Sequence, residues 1–171
     1  SKSRVLIIDD ASNDKTVDII KKLKSEYETL DFLSHNENKG YGGALITGFL
    51  NAKTAYVAFL DADMTYHPKY LLKLMHILRK YNLDCAWCNR FGGKKNSMPF
   101  IRKMGNRMLA LLFMLTTFKH IPDVSSGERL FKRDSLFKID PQTLPHGLDM
   151  ITAMTKRIVK RSTNRRINLF Y

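Results

Sequence analysis

Ala55-Tyr56-Val57-Ala58-Phe59-Leu60-Asp61-Ala62-Asp63 is an apolar run that stops at two carboxylates one residue apart. A short apolar run of this kind reads as a buried strand. Hard divalent cations take oxygen ligands, and Mg²⁺ is typically held by one or two carboxylates plus substrate phosphates. Asp61 and Asp63 are therefore candidate metal ligands for chemistry on a phosphorylated substrate. A D-x-D also arises in ordinary solvated turns, so the surrounding sequence has to decide between the two. An EF-hand loop is excluded. Asp61, Asp63 and Thr65 fit its first alternate positions, but Tyr66 stands where the sharp turn needs Gly and Leu72 where the bidentate Glu belongs. His67, just before Pro68, reads as an exposed turn residue.

Outward from that strand the chain alternates β and α signals. Val5 to Ile8 is a short apolar run, and Val17, Ile20, Leu23 and Lys24 recur at helical spacing behind the turn Asp9-Asp10-Ala11-Ser12-Asn13-Asp14. Leu30 to Ser34 reads as a strand, Gly42 to Ala52 as a helix, Pro68 to Tyr81 as a helix with Pro at its start, and Leu83 to Cys88 as a strand. Beyond these, a long helix is expected from Pro99 to Phe118, a strand over Arg129 to Lys132, a helix from Leu148 to Lys160 and a last strand from Arg166 to Tyr171. This is the rhythm of an α/β fold with a mainly parallel sheet flanked by helices. Ligands in such sheets bind beyond the carboxyl ends of the strands, so both acidic turns are expected to open on one edge.

The 171 residues suit a single domain large enough to bury a core, with 44% hydrophobic and 26% charged residues and no low-complexity linker. The net charge of +13 is uneven: residues 91–171 carry sixteen Lys or Arg against five Asp or Glu, whereas residues 1–60 carry eight of each. Such asymmetry points to a polyanionic partner in the second half, whether nucleic acid, anionic lipid or a phosphate-bearing substrate. The apolar run Met108 to Leu115, with Arg102, Lys103 and Arg107 before it and Lys119 after it, is too short to span a bilayer. It reads as a core helix or as a helix resting on a membrane surface.

Cys85-Ala86-Trp87-Cys88 suggests redox or zinc chemistry, yet on a strand the two side chains fall on opposite faces about 10 Å apart. That separation forbids a disulfide, and no second Cys/His pair stands at zinc spacing. Two free thiols in a reducing compartment are expected.

The ordered blocks Val5 to Thr16, Asn38 to Leu45 with Gly48, Asp61 to Pro68 and Asp123 to Phe131 together resemble family 2 of the nucleotide-sugar-dependent glycosyltransferases, with the GT-A fold. Within it they resemble the polyprenyl-phosphate (dolichyl-phosphate) mannosyl- and glucosyltransferases. The resemblance implies a metal-dependent, inverting transfer from a nucleotide sugar of the GDP-mannose or UDP-glucose class. The implied acceptor is a polyprenyl phosphate, and the implied setting is cytoplasmic and peripheral to an anionic membrane, with no nucleic acid as partner. It assigns Asp9, Asp10 and Gly40, with Asp61, to the nucleotide. Asp61, Asp63 and Thr65 go to Mg²⁺ or Mn²⁺, and Arg90 and Arg102 to the acceptor phosphate. Ser126, Gly127 and Arg129 go to the acceptor side, with Asp61, Asp63 and Arg129 as the catalytic set.

The chain departs from the family in three places. Only Ser1 to Arg4 precede Val5 where a first strand is usual, so the domain is expected to lack that strand and to be longer in nature at its amino end, and its carboxyl end is open to the same reading. Direct pairing of the strands at Val5 to Ile8 and Ala55 to Leu60 is the alternative. Glu128 replaces the usual aromatic, and Ala153 sits where many relatives place an acid. Four other readings fit less well. A receiver domain needs a Thr/Ser and then a Lys at later strand ends, but the next strand ends in Cys88-Asn89-Arg90. A dinucleotide fingerprint fails at Leu45, its last glycine position. A nucleic-acid module leaves the acidic turns unexplained, and a saccharide hydroxyl acceptor would need a base such as Asp123.

Overall fold

The computed structural model describes residues 3–89, 100–161 and 167–170, without the side chains of Phe100, Arg102, Lys103 and residues 167–170. The elements run β1 (Val5–Asp9), α1 (Thr16–Glu26), β2 (Leu30–Ser34), α2 (Gly40–Asn51), β3 (Tyr56–Leu60), α3 (Lys69–Lys80), β4 (Cys85–Cys88) and α4 (Phe100–Thr117). They continue with β5 (Glu128–Lys132), α5 (Arg133–Phe137), a 3₁₀ turn (Pro141–Thr143), α6 (Met150–Arg161) and β6 (Ile167–Phe170). The periodic segments fall where the sequence places them. The sequence does not reveal α5 or the 3₁₀ turn, because five and three residues are too few for a helical period to show.

β1 pairs in parallel with β2, and a second sheet has the order β3-β5-β4-β6. β5 is the one reversed strand, antiparallel to both β3 and β4, while β6 runs parallel to β4. The fold is α/β with strands mainly in one direction. β1 and β3 lie in different sheets, so the direct pairing considered from sequence is not made.

Residues 1–52 with 141–150 form one compact unit, and residues 53–140 with 151–171 form another. In the first unit, α1 and α2 pack on the β1–β2 pair. α2 buries Gly42, Gly43, Ile46 and Phe49. Its first amides are capped by a distant backbone: Gly42 N and Gly43 N donate to the carbonyl of His146 at 2.7 and 3.3 Å. A Cβ on Gly42 would stand 2.4 Å from the Pro145 carbonyl oxygen, so only glycine admits this approach.

In the second unit, α3 lays Leu74 and Leu78 against Leu83, Ala86 and Leu130 on one sheet face. Phe59 stacks on Phe131, with ring centroids 6.3 Å apart. α4 buries Ala110 and Phe113 and exposes Ile101, Met104, Met108, Leu111, Leu112 and Leu115. That exposed set recurs every three or four residues and forms one continuous stripe along the helix. Among the described residues no helix is long and apolar enough to cross a membrane.

Two alanine substitutions separate packing from propensity. Gly42→Ala forces backbone apart and is expected to destabilise the protein by about 1–3 kcal/mol. Gly105→Ala, in α4 with nothing within 4 Å of its Cβ position, is expected to stabilise it by about 0.5–1 kcal/mol. Denaturant midpoints of the two variants check both signs.

Candidate functional site

β3 ends at Leu60, and because β5 is reversed, its first residue, Glu128, pairs with Leu60 at that same edge. The turn before β5 therefore meets the turn after β3. Asp61 N donates to Gly127 O at 3.1 Å, and Gly127 N donates to the Tyr66 hydroxyl at 2.7 Å. The Asp61 carboxylate lies directly over the Gly127 Cα, where a Cβ would come within 1.7 Å of Oδ2. Asp63 is exposed, and its Oδ1 accepts the Thr65 amide at 2.9 Å, an Asx-type bond that shapes the acidic turn.

Arg129 holds the Ser126–Gly127 turn from below. Its side chain is fully buried. Nε donates to Ser126 O at 2.9 Å, one terminal nitrogen to Val124 O at 2.6 Å and the other to Thr155 Oγ1 at 2.7 Å, and the guanidinium lies 4.8 Å from the Trp87 ring centroid. Ser125 Oγ donates to Asn106 Oδ1 on α4 at 2.9 Å, which ties this loop to that helix.

Glu128 points to the sheet face opposite Arg129. It is buried, with neither carboxylate oxygen hydrogen-bonded. Burial raises its carboxyl above the ordinary range, and the nearby Cys88 thiol offsets this only in part. Both cysteines are free. Burial pushes Cys85 up to about 12, and burial together with Glu128 raises Cys88 as well. Neither thiol is activated as a nucleophile.

The acidic pair of the first unit is built differently. Asp9 is buried, and its Oδ1 has no hydrogen-bond partner. Asp10 Oδ1 meets His35 Nδ1 at 2.6 Å and accepts the Lys39 amide at 2.9 Å. His35 Nε2 lies 2.8 Å from Thr47 Oγ1 on α2. Burial works against the Asp10 charge, but the His35 bond and the Lys39 and Gly40 amides outweigh it and hold the carboxyl below its ordinary value.

A glycosyl transferase family 2 model matches residues 1–139. The chain belongs to that family. It is 29% identical over 167 residues to the undecaprenyl-phosphate mannosyltransferase of Micrococcus luteus, covering 94% of this chain and 69% of that protein. It is 28% identical over 158 residues to the UDP-N-acetylglucosamine–dolichyl-phosphate N-acetylglucosaminyltransferase of Methanococcus voltae, covering 81% and 62%. Among solved structures it superimposes on Staphylococcus aureus TarS 1-349 with a TM-score of 0.64 at 18% identity, covering 98% of this chain and 48% of TarS. It also superimposes on the Mycobacterium tuberculosis glucosyl-3-phosphoglycerate synthase in complex with Mn²⁺, UDP-glucose and phosphoglyceric acid, with a TM-score of 0.60 at 19% identity, covering 87% and 51%. The fold is GT-A. The chain spans about half the length of these solved structures and 62 to 69% of the two curated relatives.

Two residues expected at the site have partners within the protein. The Arg129 guanidinium is enclosed and binds the turn's own carbonyls. The Gly40 N–H donates to Asn38 Oδ1 at 2.9 Å, and its φ of 77° serves the turn into α2. Arg90 lies outside the described residues. Arg102 is placed on α4 by its backbone, and its side chain is outside the description. Asp61 and Asp63 stand in one turn with hard oxygens to offer. No cluster of three or more metal-ligating side chains occurs among the described residues. Sequence reasoning missed His35 and Tyr66. The register of β1 on β2 pairs Asp9 with Ser34 and so brings Asp10 level with His35, whereas nothing local in the sequence connects Tyr66 to Gly127.

A carboxyl held below its unfolded value contributes stability that is complete above that value and is lost as pH falls through the folded one. Asp10→Asn is therefore expected to lower the melting temperature near neutral pH. It is also expected to flatten the loss on acidification below the ordinary value of 3.8. Thermal melts of both proteins from pH 7 down to acid check the crossover.

Proposed function

We propose that this chain is the donor-binding domain of a metal-dependent, inverting glycosyltransferase that moves a sugar from a GDP-mannose- or UDP-glucose-class donor to a polyprenyl phosphate. The observation that carries the reading is the Asp61-Ala62-Asp63 turn locked against Ser126–Gly127 at one edge of the β3–β5 pair. Asp61 and Asp63, with Thr65 beside them, would hold Mg²⁺ or Mn²⁺. A cation bound there would offset charge on the donor's diphosphate. Asp9 and Asp10 take the base and ribose, with Asp10 kept ionised by His35 and the Lys39 amide. Arg90 and Arg102 take the acceptor phosphate.

In this transfer the acceptor oxygen attacks the anomeric carbon, the bond from that carbon to the diphosphate breaks, and the nucleoside diphosphate departs. A lipid phosphate oxygen is already anionic and needs no base. Asp123, the candidate base for a hydroxyl acceptor, is fully buried, which favours the phosphate. The exposed apolar stripe of α4, continued by Phe118 and flanked by exposed Arg107 and Lys119, suits a domain that rests peripherally on an anionic cytoplasmic membrane face. The undecaprenyl-phosphate and dolichyl-phosphate sugar transferases to which the chain is similar support a polyprenyl phosphate acceptor.

Asp63→Asn is expected to abolish metal-dependent nucleotide binding with the fold intact, as calorimetry with UDP-glucose and GDP-mannose, each with and without Mn²⁺, would read. Unchanged affinity removes the metal assignment. Leu111→Asp with Leu115→Asp is expected to abolish co-sedimentation with anionic vesicles at low salt. If the variant sediments like the wild type, α4 is not the membrane face.

A further inference from the structure

We infer that Tyr66 is a positioning residue for the Asp61 carboxylate, acting through the peptide unit of Gly127, so that the cation site and the turn before β5 hold one another in place. The inference rests on the proposed metal role of Asp61. Tyr66 lies three residues past the D-x-D, and its side chain is buried against the unit it belongs to. The chain reaches that position through Met64, whose φ of 61° is a left-handed conformation that a long side chain adopts only under constraint. The phenol oxygen then sits 2.7 Å from Gly127 N.

Three contacts converge on that single glycine. Its N–H is taken by Tyr66, its carbonyl by Asp61 N at 3.1 Å, and the space over its Cα by the Asp61 carboxylate. Ser126, just before it, is fixed by Arg129. The ring of Tyr66 would fill its site as well without a hydroxyl, so packing alone does not require the oxygen. Its effect is to aim a buried amide and, through it, the carboxylate resting on the same residue. Without the hydroxyl that amide has lost its acceptor in a buried site, and the glycine is free to rotate toward another one. Asp61 then loses the surface that sets its direction.

The test is Tyr66→Phe, which keeps the ring. The Mn²⁺ concentration needed for half-maximal UDP binding is measured by calorimetry beside UDP affinity without metal and the melting temperature, with Asp63→Asn as reference. The Mn²⁺ requirement is expected to rise about five- to tenfold, the scale of one lost buried hydrogen bond, with melting lowered by that same lost bond and metal-free affinity near wild type. A purely structural role would lower affinity with and without metal alike, which overturns the inference. If Asp63→Asn abolishes Mn²⁺-dependent binding and Tyr66→Phe leaves it unchanged, the metal site stands and the positioning role falls. If Asp63→Asn changes nothing, the metal reading fails and the inference with it. Should Tyr66→Phe not fold, amide exchange in the wild type decides. Slower exchange at Gly127 on adding Mn²⁺ and UDP supports the role, and unchanged exchange overturns it.

Discussion

The Asp61 carboxylate occupies the space that any side chain at residue 127 would fill. That exclusion lets two turns, separated by more than sixty residues of sequence, close to backbone hydrogen-bonding distance at the edge of the β3–β5 pair. Arg129 makes the closure rigid. It places a buried cation against two carbonyls and a threonine hydroxyl, giving a charged donor the acceptors that burial demands. An arginine so enclosed is costly to disturb and poorly suited to meet a ligand. Its bonds to Ser126 O and Val124 O fix the shape of the Ser126–Gly127 turn.

The two acidic turns show how environment divides carboxylates of the same type. Asp10 is tied to an imidazole and to a backbone amide, which keep it charged and fixed in one direction. Asp63 is exposed, and its Oδ1 accepts the Thr65 amide of its own turn. Glu128 is the contrasting case. Its carboxyl is removed from solvent, and burial raises it above the ordinary range.

The surplus of basic residues after residue 90 finds one structural counterpart in α4. Arg107 and Lys119 are exposed near an apolar stripe that ends in Phe118, which is 94% exposed. An exposed apolar face of this length is unusual on the surface of a globular protein. The opposite face of the same helix reaches back through Asn106 to Ser125. One helix therefore carries both the apolar stripe and a hydrogen bond to the loop that precedes the Ser126–Gly127 turn.

The periodicity of the apolar residues determined the α/β order, the extent of the long helices and strands, and the strand-end position of Asp9, Asp10, Asp61 and Asp63. Those features depend on spacings of two to four residues, which a single sequence displays directly. The free state of Cys85 and Cys88 followed from the same strand geometry. Spacing could not show that β5 runs backwards between β3 and β4, because a reversed strand has the same alternation as a parallel one. Nor could it show that Gly40 and Gly42 admit the close approach of the His146 backbone, or that Arg129 faces inward. Each of these outcomes depends on which distant backbone arrives to accept or donate a hydrogen bond. Only the folded arrangement supplies that partner, as it does for Tyr66 and Gly127.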